Sequence, residues 1–325
     1  MSFVKRWVVI ALCCIGIQDT LSACDMCGCF MGVLPSDRRS FVGLHYRYRS
    51  FSGSNVRGNN VFPDGALKTM HDVHGAAPAT DGYEIYRAVE LRARYYLHQR
   101  LELNLVAPYL MNKDVTPTTK LAVTGLGDMT LMAGWQLVDD YEKGEFRHRV
   151  LLGAGIKFPS GSPNNTLDGF RYPLLIQSGT GSTDGLLYGT YQLGFRKWRL
   201  SLTPVYKING TNRFEERIDN SKTLFGNIYY KIEPNDNLAI LPAALVYYEN
   251  TKGLYANDVF VEGTRMNTLM TGIGADVFWK NYGFNFGVHV PVYEQENNSG
   301  LESRLRFMAG LTMFFDQEKF IFKSK

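Results

Sequence analysis

The stretch EIYRAVELRARYYL, residues 84–97, repeats with a period of two. In an extended chain, Ile85, Val89, Leu91, Ala93, Tyr95 and Leu97 fall on one face, and Glu84, Glu90, Arg92 and Arg94 on the other. Residues 41–51, FVGLHYRYRSF, do the same: Val42, Leu44, Tyr46 and Tyr48 oppose His45, Arg47 and Arg49. A strand of a soluble sandwich also alternates, but usually over about five or six residues. These two runs span 11 and 14 residues, long enough to cross a bilayer at a tilt. The apolar stripe is therefore expected to face acyl chains, and the charged stripe the protein's own interior.

The same period continues along the chain. Candidate strands fall at 41–51, 84–97, 101–110, 126–138, 147–158, 184–195, 198–207, 222–233, 238–249, 267–279, 283–293 and 303–315, twelve in all. The connections alternate without exception. Segments 52–83, 111–125, 159–183, 208–221, 250–266 and 294–302 are long; HQR, 139–146, KW with its flanks, EPNDN and KNYG are short. Long outer loops and short periplasmic turns give that pattern in bacterial barrels, whose strand number is even. The expectation is an all-β, antiparallel up-and-down transmembrane barrel of about 12 strands in the bacterial outer membrane, with both termini periplasmic. Closure is required because an open sheet edge in hydrocarbon has no partner for its N–H and C=O groups. Composition agrees: 19 Tyr, 20 Phe and 32 Gly are scattered through the chain, and Trp135, Trp198, Trp279, Tyr282 and Phe315 sit near strand ends like an aromatic girdle.

The chain starts with a basic MSFVKR, an apolar WVVIALCCIGI and a small-residue LSA, the layout of an export signal. The domain reading is a signal peptide at 1–23, a Cys-rich periplasmic segment at 24–39, the barrel at 40–315 and a tail at 316–325. Cys24, Cys27 and Cys29 form C-x-x-C-x-C, with Met26 and Met31 beside them. Thiolates and thioethers suit Cu(I), and thiolates suit zinc, so Cys24, Cys27, Cys29 and Met26 are candidate soft-metal ligands. Two other readings stand beside that one. Leu21-Ser22-Ala23-Cys24 matches a lipobox, making Cys24 a lipidation site, and the oxidising compartment favours a disulfide. A 27–29 bridge would be strained, leaving 24–27 or 24–29. A second, weaker metal candidate is His71, Asp72 and His74 in the first outer loop.

The inward parity carries His45, Arg47, Arg49, Arg92, Arg94, Arg149, Lys157, Arg199, Lys207, Lys231, Arg304 and Arg306 against Glu84, Glu90, Glu102, Asp128 and Asp276. Two readings follow: a positively biased passage, or an interior plugged by paired charges. Inward Gly134, Gly153, Gly155, Gly189, Gly272, Gly274, Gly287 and Gly310 are expected to leave room or to relieve the curvature of closure. None of the six histidines lies in an H-x-S pair, and neither GLGD at 125–128 nor GTGSTDG at 179–185 precedes a helical pattern, so no enzyme is expected. The net charge of +4 is spread out, which speaks against nucleic-acid binding.

CDMCGC at 24–29, leading through GVLPSDRRSFVGLHYRYRSF at 32–51, resembles the start of a group of Gram-negative outer-membrane proteins with CxxCGC after the signal peptide. GLGDMTLMAGWQL at 125–137 and SGTGSTDGLLYGTYQLGF at 178–195 are similar to strand starts in a broader set, the outer-membrane transporters named after the meta-pathway of phenol degradation. That resemblance implies a transporter-like barrel and assigns no binding residue. The chain departs from a common barrel ending, since DQEKFIFKSK follows Phe315 and leaves the assembly signal at Phe315 or Phe322. The function expected is passive passage of a small solute, with lipid and lipopolysaccharide as surroundings and no required cofactor. Soft-metal handling at the Cys cluster and an accessory barrel with a closed interior are the alternatives.

Overall fold

The computed structural model describes residues 39–55, 80–115, 120–139, 145–167, 169–261, 263–295 and 301–315. The expected export signal, the Cys cluster with Met26, the 71–74 trio and the 316–325 tail all lie outside these residues.

Twelve strands form the wall. They are β1 (Ser40–Asn55), β2 (Thr80–His98), β3 (Leu101–Val115), β4 (Met129–Asp139), β5 (Phe146–Phe158) and β6 (Asp184–Phe195), followed by β7 (Trp198–Ile208), β8 (Ser221–Tyr230), β9 (Leu238–Thr251), β10 (Met266–Trp279), β11 (Tyr282–Glu294) and β12 (Leu301–Phe315). Each pairs antiparallel with its sequence neighbour, and β12 returns to β1 from Ser40↔Phe315 to Gly53↔Leu301. The wall therefore closes, and each of its twelve strands pairs with a neighbour on both sides.

Two strands are interrupted. A short strand, Lys120–Leu126, pairs with the outer half of β3, and β4 pairs with its inner half. The break at Gly127–Asp128 lies beside Pro108, where Gly127 N donates to Pro108 O at 2.8 Å. Proline has no N–H to give the ladder, so a bulge costs least there. The second break follows β8 at Lys231, before a four-residue strand, Ile232–Asn235.

Side chains separate by parity as two solvents demand. Leu44 is 56% exposed and its neighbour His45 only 2%. Exposed apolar side chains on this scale are untenable in water and expected in lipid. At the tight-turn end, outward aromatics form contacting pairs: His98 with Trp135, Phe146 with Phe195, Trp198 with Tyr230, and Trp279 with Tyr282. The opposite end carries the long connections. These include a hairpin of Thr166–Leu167 with Phe170–Arg171 and a three-stranded sheet of Glu216–Ile218, Leu254–Ala256 and Val259–Val261.

Candidate functional site

The candidate site is the barrel's interior, and its two sides differ. On β1 and β2 the inward side chains are largely charged, and β12 adds Arg306. Glu90 is fully buried between two arginines: Arg47 lies 3.1 Å away, and Arg92 Nε donates to Glu90 at 2.9 Å. One step toward the tight turns, Arg94 donates to Asn104 (3.0 Å), which donates to Glu102 (2.9 Å). One step the other way, Glu249 of β9 lies 3.6 Å from Arg49 and 3.8 Å from Arg306, and accepts the Tyr247 hydroxyl at 2.7 Å. Arg306 stacks on the Tyr247 ring at 3.9 Å. Burying an unpaired ion costs several kcal/mol, so these cations are tolerable only as pairs.

From β3 round to β10 the inward face carries an apolar cluster set among buried polar residues such as Thr130, Gln136, Thr190, Gln192 and Thr203. Val106, Met132, Leu151, Leu186, Tyr188, Val205, Phe225, Tyr247 and Met270 form one buried cluster, joined by Met308 of β12. Phe41, Phe278 and Phe314 pack together at the tight-turn end beside Tyr229 and Leu241.

A third cluster lies under the long loops. Fully buried Lys157 contacts Asp128 (2.9 Å) and Asp184 (2.7 Å), and Lys207 contacts Asp184 (2.8 Å).

Of the residues expected inside, His45, Arg47, Arg49, Glu90, Arg92, Arg94, Lys157, Lys207, Asp276 and Arg306 are buried. Arg149 pairs with Asp139 at 3.4 Å near the tight turns, and Arg199 bonds the carbonyls of Arg196 and Trp198 in its own turn. Three expectations are corrected. Arg304 is on the outer face, paired with exposed Glu302 at 3.2 Å, because the β1–β12 register slips between Arg49/Arg306 and Phe51/Ser303. Lys231 lies in the break after β8 and pairs with exposed Glu233 at 2.6 Å. Gly189 lies outward, where an added Cβ would meet outward-facing Leu152. The interior glycines hold neighbours' side chains rather than open space. The Tyr188 ring covers Gly153 and its hydroxyl reaches Gly134, while His45 and Asn285 close over Gly310.

Buried cations number seven (Arg47, Arg49, Arg92, Arg94, Lys157, Lys207, Arg306) against six acids (Glu84, Glu90, Glu102, Asp184, Glu249, Asp276) among the described residues, so pairing outweighs any excess. Sequence reasoning did not single out Asp184, Glu249, Tyr247 or His289. His289 could have been found by extending the inward parity of Asn285 and Gly287 along β11. Glu249 was hidden because β9 is apolar on both faces for most of its length.

No protein-family model and no curated protein matches the sequence. Among solved structures, an outer membrane channel from Pseudomonas putida F1 is similar in fold, with TM-score 0.57 and 13% identity over 87% of this chain and 100% of that one. The β domain of the Bordetella autotransporter BrkA gives TM-score 0.46 with 11% identity over 85% of this chain and 100% of that one. The transport unit of AIDA-I from Escherichia coli gives 0.43 with 11% identity over 90% and 95%. The chain is thus a closed transmembrane barrel of the outer-membrane kind.

Proposed function

We propose that this chain is a passive outer-membrane channel or transporter for a small solute, with the long loops outside and both termini in the periplasm. One observation carries the reading. Among the described residues, the interior holds buried polar atoms with no protein partner: His45 Nδ1, His289 Nδ1, Asn285 Oδ1 and Gln136 Nε2. A plug built for stability satisfies its own polar groups, because each orphan costs about 1–3 kcal/mol. An interior visited by water and solute has no such requirement. The structure of the Pseudomonas putida channel, and the family resemblance carried by residues 24–51, 125–137 and 178–195, point the same way. The arginines of β1, β2 and β12 would bias passage toward anionic or electron-rich solutes.

A second reading, an accessory barrel with a closed interior, is favoured by the apolar layer drawn from β3 through β10 and β12. Planar-bilayer recording on the purified full chain separates the two. Discrete conductance supports the channel, and a silent, correctly folded barrel across salt and voltage supports the closed reading.

A further inference from the structure

A strap, residues 172–183, is folded into the loop-rich mouth of the barrel, and its middle from Leu174 to Thr180 is buried. Ile176 packs on Leu121 and Val123, inward residues of the strand that precedes β4. Asn112 of β3 donates to the carbonyls of Ile176 (3.2 Å) and Gln177 (3.3 Å). At Gly179 the strap passes against Gly161 of its own outgoing limb, with backbone touching backbone; a Cβ on Gly179 would stand 2.3 Å from Gly161.

The strap's far end hangs on two acids that belong to the wall. Asp128, in the bulge before β4, accepts from Thr180 N (2.9 Å), Thr180 Oγ1 (2.7 Å) and Gly161 N (3.0 Å). Asp184, the first residue of β6, accepts from Ser182 Oγ (2.8 Å) and from Gly210 N of the next loop (3.0 Å). Lys157 bridges the two carboxylates, contacts Thr180 as well, and Lys207 backs Asp184. Two lysines and two aspartates thus balance in a buried site, with the loops as their remaining hydrogen-bond partners. Removing one charge leaves the buried group of four with a net charge, and the easiest relief is for the loops to lift and admit water.

We propose that Asp128, Lys157, Asp184 and Lys207 form a latch that pins the strap across the mouth, and that releasing it widens the passage. The proposal rests on the channel reading above and deepens it.

The test uses full-length protein refolded in lipid as wild type, Lys157→Met and the near-isosteric Asp128→Asn. Hydrogen exchange of the peptide containing Gly179 and Thr180 is measured alongside single-channel conductance. The latch predicts exchange roughly tenfold or more faster in the strap, with β1 and β2 unchanged, and a conductance increase of about twofold or more. If Lys157→Met lacks the exchange-protected wall of a folded barrel, Asp128→Asn decides. Unchanged strap exchange in a folded variant overturns the latch. Faster exchange with unchanged conductance in a conducting wild type overturns the claim that the strap sets the passage. Faster exchange in a protein that is silent in every form retains the latch and sinks the channel reading instead.

Discussion

On β1 and β2 the inner face is a ladder of His45, Arg47, Arg49, Glu90, Arg92 and Arg94. On β4 to β7, by contrast, Met132, Leu151, Leu186, Tyr188 and Val205 form an apolar middle flanked by uncharged Thr130, Gln136, Thr190, Gln192 and Thr203, with charge only toward the strand ends. Both walls present apolar side chains to lipid. The difference lies in what fixes register. A one-residue slip of β1 would put its buried arginines among acyl chains, at about 2–4 kcal/mol each near the midplane. The same slip on β5 would displace Lys157 and Arg149 near its ends, but between them Leu151, Gly153 and Gly155 would change places with apolar residues and cost little by transfer alone. There the register is held by shape: Tyr188 lies opposite Gly153, where no other residue leaves room for its ring. One wall is specified by charge and the other by fit.

The largest effect that would sharpen this contrast is at Glu90. Glu90→Ala leaves Arg47 and Arg92 buried around an empty position, with an expected loss of about 3–5 kcal/mol. Urea unfolding of the refolded barrel in lipid checks it, and a loss below about 1 kcal/mol would mean that the charged wall is already hydrated. Next is Leu44→Lys on the lipid side of β1. Leu44 lies beside His45 and well inside the wall, so the expected cost is about 2–4 kcal/mol. Folding yield into vesicles is the measurement, and a neutral outcome would place that face in water.

A smaller effect is expected at Gly153, on the wall held by fit. A Cβ there would stand 2.3 Å from the Tyr188 ring. Gly153→Ala therefore displaces the ring or bends β5, at roughly 1–3 kcal/mol for overpacking. Combining it with Tyr188→Leu should recover much of the loss, because the clash is the cause. If the pair proves strictly additive, shape does not set this register.

The same contrast explains what the sequence disclosed. All twelve wall strands were legible, including β3 to β8, because the alternation of long and short connections marks strand ends regardless of facing. The site was legible only where one parity is charged. Arg47, Arg49, Glu90, Arg92 and Arg94 could be placed inside from their spacing alone. Between β3 and β10 parity placed Glu102, Lys157, Lys207 and Asp276 inside, but apolar residues fall on both faces in mid-strand, so the Val106–Met270 cluster and Glu249 were not visible. Nor was the partnership of Asp128 with Thr180, residues 52 apart in sequence that meet only because a loop folds back into the mouth. Pro234 follows the break at Lys231 without marking its position, and the slip at Ser303–Arg306 carries no Gly or Pro of its own to announce it.

Arg304 tests that last point with the smallest expected effect. Strict alternation places Arg304 and Arg306 on one face, and the charged wall would then make both costly to remove. The slip between Arg49/Arg306 and Phe51/Ser303 separates them. Arg306 is buried on the Tyr247 ring, while Arg304 reaches Glu302 and Ser52 at the outer surface. Exposed pairs of this kind contribute about 0–1 kcal/mol, so Arg304→Ala should shift the unfolding midpoint little and leave conductance unchanged. A loss comparable to that at Glu90 would restore Arg304 to the interior. The last strand would then have no slip, and Arg304 would add one more cation beside Arg306 on the inner face of β12.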